Sequence, residues 1–178
     1  MLTFQTPRLL MRPLQAEDEL FYCACYTDPV LMQHIGEPLA HEVALRSFKA
    51  ALKVSVETPI RRYTWVIQEK TSGVAAGLLA MFCDQAKPEP VNAELGTIML
   101  ADFQNQGFTV EALDALADVA FNTTRLEALL VKHKAENKAV AAVMGRLGYL
   151  RDATDASEIA RYIWVLNRID WQARGNPG

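Results

Sequence analysis

A strand that stops in a glycine-containing loop and opens straight into an amphipathic helix constrains this chain more than any other feature. Residues 94–100 form an apolar run of strand character, and Gln104-Asn105-Gln106-Gly107-Phe108-Thr109 make a short polar loop. Leu113, Leu116, Ala117, Ala120 and Phe121 then fall at i, i+3, i+4, i+7 and i+8, the spacing of one buried helix face. The first N–H groups of such a helix have no partner within it, and its dipole puts positive charge at the same spot. The unit therefore predicts an anion site suited to phosphate.

The rest of the chain alternates strands and helices. Residues 9–14 read as a strand ended by Pro13, which cannot donate to a ladder. A helix is expected over residues 15–26, with Glu17, Asp18 and Glu19 in its first turn, where negative charge suits the dipole. Asp28-Pro29 breaks it, because a residue before proline is pushed out of the helical region. A second helix is expected over residues 42–56. Residues 63–69 alternate as a half-buried strand, Lys70-Thr71-Ser72-Gly73 turns the chain, and residues 75–82 return as a hairpin. Beyond the phosphate unit, residues 126–132 read as a buried strand. Residues 137–147 read as a helix closed by Gly148. Residues 149–152 and 161–167 are expected to pair as closing strands. The reading is one α/β (α+β) domain over residues 1–170, a mixed sheet of about six or seven strands flanked by about four helices, and a tail over residues 171–178.

Composition narrows the function classes. A net charge of −3 and a pI near 5.6 argue against a nucleic-acid binder, which should carry a basic face. Three cysteines, Cys23, Cys25 and Cys83, are an odd number unsuited to a disulfide framework and suggest a reducing compartment. Cys23 and Cys25 point in different directions on a helix, and His34, His41 and His133 are scattered, so no metal site is expected. No basic leader followed by an apolar run is present at the start, and the longest apolar run, residues 74–83, is too short to cross a bilayer. A cytoplasmic location with no membrane partner is the expectation.

The order β-α-α-β-β-β-α-β-α-β-β, with the phosphate loop after the fourth strand, resembles the GNAT acetyltransferase superfamily. The residues resemble in particular the branch that includes the ribosomal-protein N-terminal acetyltransferases. Thr6-Pro7-Arg8-Leu9-Leu10-Met11-Arg12 looks like that branch's opening pattern, with Asp18 following. Trp65-Val66-Ile67, Gly73 and Gly77 resemble its central hairpin. Glu94-Leu95-Gly96 and Gly107-Phe108-Thr109-Val110-Glu111-Ala112 resemble its coenzyme A-binding motif, and Glu136-Asn137 with Leu147-Gly148-Tyr149 resembles the closing motif. Thr109 departs from the pattern, which has glycine or alanine there, and Val140 stands where the branch often has serine.

The resemblance implies transfer of an acetyl group from acetyl-coenzyme A, with no metal, to a primary amine on a small molecule or a protein N-terminus. Backbone N–H groups of Gln106, Gly107, Phe108 and Thr109, with Gln104 in the same loop, would hold the diphosphate, and Thr109 would serve as helix N-cap. Ile98, Met99 and Leu100 would pair their main chain with the pantetheine arm, and Asn137 would offer its amide to that arm or act only as a helix cap. Glu94 is the expected base, its carboxyl raised by burial beside Ala93 and Leu95. Glu111 is read as a dipole-stabilising residue. Met144 stands where many relatives have a tyrosine acid, and Tyr149 is read as a core aromatic. His34, Glu37 and Tyr26 belong to the region that walls the acceptor groove in this superfamily, while Arg61-Arg62 reads as a solvated pair. The departures leave open a non-catalytic or regulatory protein that holds coenzyme A or another acyl-coenzyme A. The oligomeric state stays open too, a homodimer included.

Overall fold

The structure, a computed structural model, describes residues 2–33, 35–54, 62–83, 90–155 and 161–175. Among them eight strands form one sheet in the order β1-β2-β3-β4-β5-β6-β8-β7. These strands are β1 (Phe4–Gln5), β2 (Leu9–Pro13), β3 (Arg62–Glu69), β4 (Ala75–Cys83), β5 (Asn92–Met99), β6 (Ala128–Lys134), β7 (Leu150–Asp155) and β8 (Arg161–Asn167). Every neighbouring pair is antiparallel except β5 with β6. The helices are α1 (Glu19–Thr27), α2 (Pro29–Met32), α3 (His41–Val54), α4 (Phe108–Thr123), α5 (Lys138–Arg146) and α6 (Arg168–Arg174), with single 3-10 turns at Ala16–Asp18 and Ala101–Phe103. No helix of the described residues is long and apolar enough to cross a membrane.

Alternation along each strand sorts the core into two layers. On one face Tyr22 and Cys25 of α1 and Phe48 and Ala51 of α3 pack on Val66, Leu78 and Ile98. On the other, the predicted α4 stripe of Leu113, Leu116, Ala117, Ala120 and Phe121 is fully buried against Trp65, Leu79, Met81, Leu95 and Leu129. Met144 of α5 joins this second layer, and Trp171 of α6 packs on it. Arg12 ends β2 by gripping Asp18 with two hydrogen bonds of 2.7 Å, which fixes the turn into α1.

Several boundaries differ from those read in the sequence. β1 adds a strand of two residues, held by Phe4 opposite Met11. The first helix begins as the 3-10 turn, and Asp28 ends α1 while its carboxylate caps α2 by accepting from Val30 N–H at 2.7 Å. β6 runs two residues further than expected, to Lys134. The boundary drawn at residue 170 falls inside α6, whose Trp171 ring lies 5.1 Å from that of Phe121. The expected helix end at 55–56 and the last three residues of the tail lie outside the described residues.

Candidate active site

The sheet is continuous until β5 and β6 part. Their parallel pairing covers only Asn92 to Glu94 opposite Ala128 to Leu130. β5 then runs on to Met99 and β6 to Lys134 without a shared ladder. Leu100 N–H bonds the Ala76 carbonyl of β4. By alternation, therefore, Thr97 and Met99 turn their main-chain groups away from β4, into the gap. The gap is the mouth of a cleft of about 310 Å³. It is lined from one face of the sheet by Thr109, Leu113, Val140 and Met144, and from the other by Tyr26, Thr64, Ala80, Phe82 and Glu94. The cleft therefore passes through the sheet.

At one end stands the N-terminus of α4. Asn105 and Gly107 both take left-handed backbone, at φ 59° and 78°. Gly107 is the N-cap, a conformation that costs glycine nothing and any other residue about 1 kcal/mol or more. This corrects the sequence expectation for Thr109, which is the second residue of the helix. Glu111 N–H makes the first helical bond, to the Gly107 carbonyl at 3.1 Å, so the N–H groups of Phe108, Thr109 and Val110 have no acceptor within the helix. Thr109 also lines the cleft.

The side chains of the loop brace it rather than reach into the cleft. Gln104 Nε2 donates to the Met99 carbonyl at 2.9 Å and Gln106 Nε2 to the Asp102 carbonyl at 2.7 Å. Gln104 thus occupies one of the main-chain acceptors expected to face a ligand. Arg8, in the bend just before β2, fastens the loop. Its Nη1 donates to the Gln106 carbonyl at 2.9 Å, its Nε to Glu111 Oε2 at 2.6 Å, and its guanidinium lies 4.4 Å from the Phe108 ring centroid. Thr6 Oγ1 also bonds Glu111. Glu111 consequently faces β2 and leaves the open amides free of negative charge.

Glu94 lines the other end of the cleft, but not in the surroundings expected of it. Its side chain is 41% exposed and pairs with Lys132 Nζ at 2.9 Å, so it is not buried beside Ala93 and Leu95 as expected. Ile98 lies in the cleft lining with its side chain in the α1–α3 layer. Asn137 does act as a cap, its Oδ1 accepting Val140 N–H at 3.2 Å, and it borders the cleft as well. Met144 occupies the cleft wall. Tyr149 is buried in the α4 layer, away from the lining; burial raises its hydroxyl, which has no hydrogen-bond partner. His34 lies outside the described residues.

Three features of the lining were not legible from spacing. His133 is buried in the cleft wall with both ring nitrogens engaged, Nδ1 with the Lys134 carbonyl at 2.7 Å and Nε2 accepting from Trp164 Nε1 at 2.8 Å. The two hydroxyls Thr64 Oγ1 and Thr97 Oγ1 are buried without partners. Thr97 stands opposite Leu79 and Thr64 opposite Ala80, so they serve opposite faces of the sheet. Buried polar atoms without partners are uncommon and suit a site that a ligand completes. No group of three or more His, Cys, Asp or Glu among the described residues could hold a metal ion.

The residues fit an extended ligand with an anionic end. Open strand edges at β5 accept a strand-like arm, Thr97 offers a hydroxyl beside it, and the α4 amides offer charge-complementary donors. An acetyltransferase (GNAT) domain model matches residues 8–150. An acetyltransferase from Agrobacterium tumefaciens is 24% identical with a TM-score of 0.78, over 94% of this chain and 95% of that one. A spermidine N-acetyltransferase from Vibrio cholerae, in complex with coenzyme A and spermine, is 14% identical with a TM-score of 0.81, over 94% and 99%. An acetyltransferase from Salmonella typhimurium that modifies the N-terminal serine of ribosomal protein L7/L12 is 14% identical with a TM-score of 0.77, over 91% and 96%. No curated protein matches in sequence. The chain belongs to the GNAT acetyltransferase family and is an acyltransferase.

Proposed function

We propose that this protein transfers the acetyl group of acetyl-coenzyme A to a primary amine, on a small molecule or a protein N-terminus. The observation that carries the proposal is the parting of β5 and β6 in line with the α4 amides. Phe108, Thr109 and Val110 N–H groups would hold the diphosphate, each charge-assisted bond contributing roughly 1.5–3 kcal/mol. Thr97 main-chain groups and the Met99 N–H would hold the arm between, bringing the thioester to the gap beside Glu94. The bound thioester supplies an activated acyl carbon and a thiol leaving group of pKa near 8.5.

An amine attacks only when neutral, while an alkylammonium titrates near 10.4. Glu94, which lines the cleft, would receive that proton and pass it to solvent. Its pairing with Lys132 occupies one carboxylate oxygen and leaves the other without an ion pair. With Met144 in the wall and His133 fully bonded, the leaving thiolate takes its proton from water.

The second reading, a protein that holds coenzyme A or a different acyl-coenzyme A without this turnover, draws on the Glu94–Lys132 pair and the lack of a proton donor at Met144. A thermal-shift titration with acetyl-coenzyme A, followed by free-thiol release over a panel of amines and peptide N-termini, separates the two. Release with at least one amine supports acetyl transfer; binding without release across the whole panel supports the second reading.

A further inference from the structure

The face of the sheet that packs α1 and α3 carries a charge pattern that acetyl transfer alone does not use. Register sets Arg62 of β3 opposite Phe82 of β4, and Phe82 opposite Glu94 of β5. Cation, aromatic ring and carboxylate thus stand in one row across three strands. The Arg62 guanidinium lies 5.0 Å from the Phe82 centroid, so it is not the solvated residue expected from the sequence. Strands lie about 4.8 Å apart, which separates the Arg62 and Glu94 backbones by about 10 Å.

The next row on the same face is Thr64, Ala80 and Gly96. Two small residues there leave a trough between the β5–β6 gap and β3. A Cβ added at Gly96 would meet nothing nearer than Phe82 Cε2, at 3.8 Å, so the space is unfilled rather than required by the fold.

The two ends of the trough differ in kind. At β3, Arg62 Nε and Thr64 Oγ1 are both buried without partners, two residues apart and so on one side of the strand. No carboxylate of the described residues pairs with Arg62. Two neighbouring unpaired donors call for a group that only accepts, and an ionised carboxylate is that group. At β5, Glu94 gives one oxygen to Lys132 and keeps the other for a cation.

We infer that the acceptor is a linear amino acid, its ammonium at Glu94 beside the gap and its carboxylate on Arg62 and Thr64, the arm lying over Ala80 and Gly96. This rests on the acetyl-transfer reading. In the step, the amine nitrogen bonds the acetyl carbon, the carbon–sulfur bond breaks, the amine proton leaves through Glu94 to solvent, and coenzyme A departs as the thiol. A diamine of the same length would set its second cation against Arg62.

Free-thiol release is measured with linear ω-amino acids, with diamines and amino alcohols of matched length, and with peptide N-termini, while calorimetry reads the coenzyme A Kd. The wild type is expected to prefer the amino acid over the matched diamine by about tenfold or more in kcat/KM, the scale of one charge-assisted bond. Arg62→Gln and Thr64→Val should erase that preference through KM, and Gly96→Ala should raise the amino-acid KM, all three with the coenzyme A Kd unchanged. Equal or better use of diamines, a preference that survives Arg62→Gln, or release with peptide N-termini but with no linear amino acid overturns the inference and leaves acetyl transfer standing. Absence of both coenzyme A binding and thiol release overturns the two together.

Discussion

Arg8 and Glu111, 103 residues apart in the chain, meet through a 2.6 Å hydrogen bond that ties the bend before β2 to the first turn of α4. The same guanidinium holds the Gln106 carbonyl at 2.9 Å, so the loop preceding the open amides is fixed from a distant strand. Arg8→Gln is expected to weaken coenzyme A binding by about tenfold, or ~1.4 kcal/mol, by loosening that loop. Pantetheine, which lacks the diphosphate, should bind the variant as it binds the wild type. Calorimetric titration of both ligands checks the difference.

Glu111 also sets an acid limit. Burial pushes its carboxyl up, but hydrogen bonds from the Thr6 hydroxyl, the Arg8 N–H and the Arg8 guanidinium outweigh this and hold it below the ordinary 4.5. A carboxyl lowered in the folded state contributes stability that is complete above its unfolded value and lost as pH falls through the folded one. Urea midpoints should therefore decline below about pH 4.5, and Glu111→Gln should flatten that part of the curve while lowering the midpoint at neutral pH.

Glu94→Gln keeps the shape of the side chain and removes its basicity. With Glu94 as base, kcat/KM is expected to fall by about a hundredfold or more, with loss of the acidic limb of the pH–rate profile and an unchanged coenzyme A Kd. An unaltered profile in the variant would remove Glu94 from the chemistry.

What the sequence made legible was local. The strand, loop and helix around Gly107 are contiguous, and the α4 stripe repeats at the period of a buried helix face, so both could be read from spacing alone. The two-residue β1 could not, because only the distant Met11 defines it. α6 was missed because its seven residues show too little periodicity, and its reason for existing is Trp171 packing on Phe121. Glu94 and Asn137 both border the cleft, yet the partner of Glu94 is Lys132 on another strand. Thr109 looked like an N-cap by residue type, but the left-handed turn at Gly107 starts the helix earlier. Thr64, Thr97 and Arg62 gain their roles from sheet register, and Arg8 from contacts with a loop about a hundred residues away, which no short window of sequence carries.

Tyr149 offers a check on the leaving-group chemistry. Its hydroxyl is buried, has no partner, and lies outside the cleft lining. Tyr149→Phe is expected to leave turnover unchanged and stability equal or higher by up to about 1 kcal/mol, because an unsatisfied polar group is removed. Denaturant unfolding and thiol release measure the two effects.

Gly77 of β4 stands opposite Met99 of β5. A Cβ there would run into the Ile98 carbonyl oxygen and come within 3.2 Å of Met99 Cα, both backbone atoms. Gly77→Ala should cost about 1–3 kcal/mol of stability and weaken coenzyme A binding, since β5 must shift to make room. Unfolding midpoints and calorimetry on the same sample report both losses.

The most direct test follows the backbone amides of Phe108, Thr109 and Val110 by NMR during titration with coenzyme A and, separately, with pantetheine. If these amides hold the diphosphate, their resonances move strongly with coenzyme A and little with pantetheine. Resonances that stay in place while coenzyme A binds, or that move equally with both ligands, would contradict a phosphate site at the start of α4.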